Sequence, residues 1–265
     1  MVNMVVMMKQ VPDSSEVEVD PVKMTLNRTK ARNIVNPPDL NALEMALRIK
    51  DKVGGTITVI SMGPAMADSA ILECMARGAD RGILISDRAF AGADTYPTGL
   101  TLAATIEKIG NVDLVLAGDE TTDSSTGHVG PGVAEFLGWE QATYTKDVQY
   151  ENGYVIATRE LEDGDEIVKI KSPALVTVVL NANVPRYQKL RKKIDAIKKG
   201  VEVWGIKEVG LDPTWVGLRG SPTIVRSMKG IKEIERGKKV IKLEDIPSMI
   251  NELLEKGVIK LGDAK

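Results

Sequence analysis

The chain has 265 residues, 43% of them hydrophobic and 27% charged, with 35 Lys+Arg against 37 Asp+Glu and a net charge of -2. That is the make-up of a folded globular chain, and such balanced charge argues against nucleic acid, which calls for a strongly basic face. One cysteine, Cys74, and one histidine, His128, exclude a Cys/His metal cluster and an internal disulfide; no G-x-S-x-G elbow accompanies the histidine. No run reaches the roughly 18 apolar residues of a membrane span. The first residues lack the basic region, apolar stretch and cleavage site of a secretory leader, so a cytoplasmic, reducing location is expected. Any chemistry is expected to come from something the chain binds.

In chain order, residues 4–8 read as a buried strand, and Leu40, Leu43, Leu47 and Ile49 set an apolar stripe on a helix that Asp39 would cap. Residues 56–61 predict a second strand. A helix over 65–77 follows Gly63-Pro64 and stops at Gly78. Strands over 82–86 and 113–117 flank a helix over 100–109 that ends at Gly110, and a shorter helix covers 130–137. Beyond Tyr150 the character changes. Strands over 154–159 and 166–170 flank Asp163-Gly164, a hairpin signal, and an apolar strand over 174–180 returns to the main sheet. Residues 187–199 are basic and exposed, 211–220 form a loop, and 245–256 form a helix with Pro247 in its first turn. The alternation predicts an α/β fold, a mostly parallel sheet with helices on both faces and a β-hairpin insertion.

In an open α/β sheet the ligand crevice lies at the carboxyl ends of the strands. The loops placed there are Lys9-Gln10-Val11-Pro12-Asp13, Val35-Asn36-Pro37-Pro38, Met62-Gly63-Pro64 and DETTDSSTGHVGP over 119–131. Asn36 would offer an amide to a base or ribose, and Gly63 permits close backbone approach. The last loop sets hydroxyls and backbone N–H groups at a helix opening, as a phosphate requires; the same residue types also make ordinary caps and turns. Gly92-Ala93-Asp94-Thr95, with Thr98 following, opens another helix in the same style. Neither G-x-G-x-x-G after the first strand nor G-x-x-x-x-G-K-[ST] is present, so any nucleotide is held differently from a standard Rossmann or P-loop site. Cys74 and most methionines read as packing, and Trp139, Trp204 and Trp215 as subunit anchors.

At these loops the sequence resembles the beta subunit of electron-transfer flavoproteins. The resemblance runs over residues 5–199. Its parts are K-Q-V-P-D at 9–13, V-N-P at 35–37, M-G-P at 62–64, G-A-D-R-G at 78–82, the stretch ATRELEDGDEIVKIKSPALVT at 157–177 and P-R-Y at 185–187. It implies a Rossmann-like domain over 1–200 and a C-terminal extension over 201–265 that packs on an FAD-carrying alpha subunit. GADTYPT at 92–98 is similar to the electron-bifurcating members. There the beta subunit holds its own FAD, takes hydride from NADH, and sends one electron to the alpha-subunit FAD and one to a ferredoxin-like low-potential acceptor. Ordinary members bind AMP instead and shuttle electrons from dehydrogenases.

By the same resemblance, Met7, Asn36 and Met62 would face the adenosine, with Lys9 and Gly63 in the matching loops. Asp94, Thr95 and Thr98 would approach the pyrophosphate, and Asp123, Thr126, Gly127, His128 and Val129 would surround the phosphates. Two departures stand out. Bifurcating relatives tend to carry Gln where His128 stands and an acidic residue where Ser125 stands. After Tyr187 the chain reads QKLRKKIDAIKK and lacks the family's Leu-Pro-Asn-Ile docking pattern, leaving Leu190 at the docking position in a basic setting. That leaves a membrane-associated quinone reductase or another flavoprotein dehydrogenase open as partner beside the acyl-CoA dehydrogenases that the family pattern docks. An ATP-hydrolysing or adenylating protein would need an S-G-G-x-D-S loop after the first strand, which is absent; a nucleotide-sensing module without redox work stays open.

Overall fold

The structure, a computed structural model, describes residues 1–13, 18–20, 25–27, 32–224 and 240–259. Its centre is a run of short, almost wholly apolar strands: β1 (Val2–Met7), β6 (Gly55–Met62), β7 (Arg81–Ile85), β8 (Leu114–Gly118) and β12 (Ala174–Val178). Strands covered on both faces favour apolar side chains, and these supply them at most positions, with Thr58, Ser61 and Thr177 as buried polar exceptions. Before β6 come β2 (Gln10–Pro12) paired with β5 (Asn33–Val35), and β3 (Glu18–Asp20) paired with β4 (Thr25–Asn27), both antiparallel. The main sheet adds β9 (Glu140–Glu151), β10 (Tyr154–Leu161), β11 (Gly164–Lys171) and β13 (Glu202–Trp204). Its order is β11-β10-β9-β12-β8-β1-β6-β7-β13. All neighbours run parallel except β9–β10 and β10–β11, which form the inserted antiparallel edge.

The period of two along each strand sorts the core into two layers. Val2, Met4 and Val6 of β1 join Leu114 and Leu116 of β8 beneath α1 (Pro37–Val53) and α2 (Asp68–Arg77). Val5 and Met7 point the other way, with Val115 and Ala117, into the layer under α3 (Thr95–Ile109) and α4 (Val129–Leu137). Both layers are hydrophobic clusters, as expected of a doubly wound α/β fold.

Several elements differ from their sequence reading. Asp39 does not cap α1: the N-cap position falls on Asn36, whose side chain turns to another loop, and Pro37 and Pro38 fill the first helical positions, where a missing N–H costs nothing. Asp39 then falls within the first turn, buried. β9 escapes sequence reading because a bulge at Tyr144, with φ of 54°, breaks its alternation. The basic stretch after Tyr187 is exposed as expected but forms a helix, α5 (Leu190–Lys199), with only Ala196 buried. Residues 202–220 return to the sheet as β13, α6 (Ile206–Val209) and α7 (Gly217–Gly220), burying Val209 and Val216.

The chain divides into two units, Met1–Met228 and Lys229–Lys265. In the second, α8 (Ile246–Glu255) carries Pro at its opening and sets Ile246, Ile250, Leu253 and Leu254 along one face. Leu116 sits fully buried in the middle of β8, between the two strands that flank it. Leu116→Ala is expected to cost about 3 kcal/mol, read as a lower denaturant midpoint at unchanged m-value.

Candidate functional site at the carboxyl rim of the sheet

The chain leaves β1 for β6 on one side through α1, then comes back through α3 to β8 on the other side. That reversal is a topological switch point and opens a crevice at the carboxyl ends of β1 and β8. Beneath it lies Asp39. One carboxylate oxygen accepts the Lys9 backbone N–H at 2.7 Å, and the other accepts that of Gly118 at 2.9 Å. A Cβ on Gly118 would stand 2.5 Å from that second oxygen, so glycine is what lets α1 close onto the end of β8. Burial pushes the Asp39 carboxyl from 3.8 up to about 7, against hydrogen bonds from the Lys9 N–H, the Asn36 side chain and the Gly118 N–H and against the Lys9 charge.

Asn36 is fully buried, and its amide grips the loop that follows β8. It donates to the Glu120 carbonyl at 2.9 Å and accepts from the Thr122 N–H at 3.1 Å. The Lys9 ammonium reaches the same loop and donates to both Asp123 carboxylate oxygens, at 2.8 and 2.7 Å. Burial alone would raise the Asp123 carboxyl, but hydrogen bonds from Lys9, Thr121 and Ser124 and the Lys9 charge outweigh it and hold it below the ordinary range.

The loop then delivers residues 126–130 to the opening of α4. Gly127 takes a left-handed φ of 63° that a side chain would resist. Gly130 packs on β12, where a Cβ would meet the Thr177 methyl at 2.6 Å. Among the described residues no acceptor within the chain answers the N–H groups of Gly127, His128, Val129 and Gly130. His128 is exposed, and its carbonyl accepts the Gly132 N–H at 2.9 Å.

α3 opens on the same rim and the same face of the sheet, held beside α4 by Tyr96 against Phe136, edge to face at 5.2 Å. Asp94 caps it by accepting the Tyr96 N–H at 2.9 Å, and its carbonyl accepts the Thr98 hydroxyl at 2.6 Å. The Thr95 and Thr126 hydroxyls have no partner among the described residues. Met7 is buried in the core layer under α3 and α4, Met62 packs half-buried against that layer, and Gly63 donates to the Ile85 carbonyl at 3.1 Å.

So the structure brings Lys9, Asn36 and Asp123 into direct contact, and sets the α3 and α4 openings side by side. It sets Leu190 elsewhere: the first residue of α5, 75% exposed, on a helix packed against α2. The segment before it is tied to α1 by the Arg186–Glu44 ion pair at 2.8 Å and by Asn41 and Asn183, whose amides donate at 2.7 and 3.0 Å to each other's backbone carbonyls. Cys74 is core, and burial, with the Glu73 charge, pushes its thiol up and keeps it inert. Trp204 is half-buried with Arg81 and Lys108 over its ring, each at 5.7 Å.

Sequence reasoning missed the clamp at Asp39 and the partners of Asp94, Ser221 and Thr223. The V-N-P-P-D run signals the first, because two prolines displace the cap to Asn36. Nothing in the sequence signals the second, across a separation of 129 residues. Among the described residues there is no cluster of potential metal ligands and no helix long and apolar enough to cross a membrane. The surface grooves lined by Val53, Tyr150 and Glu151 lie at the opposite, amino-end rim of β1.

Fold and crevice together define a doubly wound α/β protein whose switch-point crevice lies at the carboxyl ends of its central strands. A family model described as electron transfer flavoprotein domain matches residues 23–208. The chain is 45% identical over 239 residues to the electron transfer flavoprotein subunit beta of Clostridium acetobutylicum, covering 90% of this chain and 92% of that one. It is 42% identical to the caffeyl-CoA reductase-Etf complex subunit CarD of Acetobacterium woodii, over 95% and 97% of the two chains. With the protein FixA of Azotobacter vinelandii it shares 40% identity, over 97% and 93%. The chain belongs to the electron transfer flavoprotein family, among its beta subunits.

Asp39 gives a pH test. The folded chain keeps its proton up to about pH 7, whereas the unfolded chain releases it near 3.8, so this group makes folding less favourable as pH rises between those values. Asp39→Asn removes that dependence. The stability advantage of the parent over the variant should therefore shrink by about 2–3 kcal/mol between pH 5 and pH 8. Urea titrations at the two pH values check this; an advantage that stays constant would mean the carboxyl titrates normally.

Proposed function

We propose that this chain is the FAD-binding beta subunit of an electron-bifurcating electron transfer flavoprotein, working in the cytoplasm with an alpha subunit. The observation that carries the reading is the pair of threonine-bearing helix openings, α3 and α4, side by side on one rim, where the α4 N–H groups and the Thr95 and Thr126 hydroxyls have no partner among the described residues. That donor set fits a pyrophosphate: hydroxyls, backbone amides and helix dipoles, with the Lys9 ammonium already engaged with Asp123. Bound FAD supplies the capacity to accept hydride from NADH and to release electrons singly, toward the alpha-subunit FAD and a ferredoxin-like low-potential acceptor.

The chain's own part is binding and orientation. Thr95 and Thr98 would face the pyrophosphate at α3, with Asp94 shaping that opening. Thr126, Gly127, His128 and Val129 would enclose the phosphates at α4, while Lys9 and Asn36 hold the loop carrying Asp123. Met7, Met62 and Gly63 would border the adenosine. The exposed start of α5 at Leu190, set among lysines and arginines, would meet a flavoprotein dehydrogenase or quinone reductase. The extension from residue 201 onward would pack on the alpha subunit, with the apolar face of α8 as its anchor.

The test is the nucleotide released on denaturing the chain copurified with its alpha subunit. Two FAD per heterodimer and no AMP is the expected result; one FAD with one AMP makes the chain an ordinary electron carrier. Thr95→Val should lower flavin occupancy of this chain, weakening FAD binding about five- to tenfold, the net worth of one hydrogen bond. Unchanged flavin content would remove Thr95 from the site.

A further inference from the structure

Asp94 sits where a phosphate-binding residue is expected, yet it carries a negative charge, which repels phosphate. Its hydrogen bonds point elsewhere. One carboxylate oxygen accepts the Tyr96 N–H at 2.9 Å. The other accepts both the Thr223 N–H at 2.9 Å and the Thr223 hydroxyl at 2.6 Å. The backbone N–H of Asp94 donates to the Ser221 hydroxyl oxygen at 2.9 Å. The Ser221 hydroxyl lies in turn 2.8 Å from the Gly217 carbonyl. Burial pushes the Asp94 carboxyl up, but the Thr223 hydroxyl, the Thr223 N–H and the Tyr96 N–H outweigh it and keep the group ionised.

Residues 217–223 are fitted to this place. Gly217 adopts a φ of 58°, and a Cβ there would stand 2.1 Å from the Ala89 carbonyl oxygen. The Leu218 N–H donates to the Ala91 carbonyl at 2.9 Å, and its side chain lies so close to Gly92 that a Cβ there would approach it to 3.2 Å. This is the stretch that leads into the C-terminal unit, which begins at Lys229. Thr95 and Thr98 occupy the first turn of the helix that Asp94 caps.

We propose that Asp94 is a positioning residue, a latch that fixes residues 217–223 against the opening of α3 so that nucleotide binding and the seating of this 217–223 arm stabilise one another. The proposal rests on the nucleotide-binding reading above. With Thr223 in place the charged carboxylate is shielded by donors and turned toward residues 217–223, leaving the Thr95 side of the turn to the phosphate. Without it, Asp94 holds an unshielded charge at the same turn, and both cap geometry and phosphate affinity suffer. Linkage makes the effect reciprocal: whatever the arm adds to nucleotide affinity, the nucleotide adds to the seating of the arm.

The experiment uses the full-length chain titrated with FAD and, separately, with ADP, with hydrogen exchange followed over residues 217–224. The variants are Thr223→Ala and Thr223→Ser; Thr223 is exposed, so neither opens the core. The expected result is slower exchange of residues 217–224 in the parent when ligand is bound. Thr223→Ala should raise Kd about tenfold and abolish that slowing, while Thr223→Ser restores both. Parent chain that binds ligand with no change in exchange at 217–224, or a Thr223→Ala Kd equal to the parent's, overturns the latch and leaves the nucleotide reading standing. A parent that binds neither FAD nor ADP overturns that reading and the latch with it. The exchange measurement on the parent decides the matter even if a variant fails to fold.

Discussion

A buried carboxylate joins the two strands on which everything else is built. Asp39 lies in the first turn of α1 and takes one backbone N–H from the end of β1 and one from the end of β8. Those strands pair directly but diverge in connectivity at this point, one leading toward β6 and the other onward to α4, and the Asp39 side chain bridges their ends. Because both oxygens accept, the ionised form suits the geometry, yet burial opposes ionisation, and the balance puts the group close to neutrality in its titration. A carboxylate satisfied in this way rigidifies its surroundings more than an apolar residue of similar size would, since its directional bonds fix the spacing of the strand ends.

On that floor the rim is assembled by side chains that hold backbone rather than meet ligand. Asn36 takes both a carbonyl and an N–H of the loop after β8, and Lys9 closes the same loop through Asp123. The exposed Lys9–Asp123 pair adds little stability of its own. Its effect is positional, bringing the loop over the end of β1 so that the opening of α4 faces the opening of α3. Arg186 and Glu44 do the equivalent for the segment that presents α5, at a distance from the crevice.

The central strands and the helix stops were legible because their signals are local. Runs such as Leu114–Gly118 are apolar at every position, and Gly78 and Gly110 follow the last helical residues of α2 and α3. The hairpin around Asp163-Gly164 was legible for the same reason. The bulge at Tyr144 was not, since one residue of left-handed backbone shifts the alternation of β9 and leaves no periodic signature. At the site, the hydroxyl- and glycine-rich loops announced themselves by composition. What composition could not convey is that Asn36 and Asp94 turn their polar groups toward the chain itself. Thr223 lies 129 residues from Asp94, and no spacing rule connects them.

That inward orientation bears on how the proposed site would hold an anion. The acidic groups nearest the two openings are each answered within the chain, Asp123 by an ammonium and Asp94 by a hydroxyl and two amides. The Asp123 charge is therefore paired and the Asp94 charge hydrogen-bonded within the chain. The remaining donors at α3 and α4 are backbone N–H groups and threonine hydroxyls, fixed in place by elements packed into the core. Attraction from fixed dipoles requires no side chain to be ordered on binding, so the entropic cost of holding a phosphate is lower than it would be for mobile lysines. The same arrangement makes the rim sensitive to whatever holds the dipoles in line. A change at Gly118, Gly130 or Thr223 would act on an anion without touching it, through the register of the helix openings.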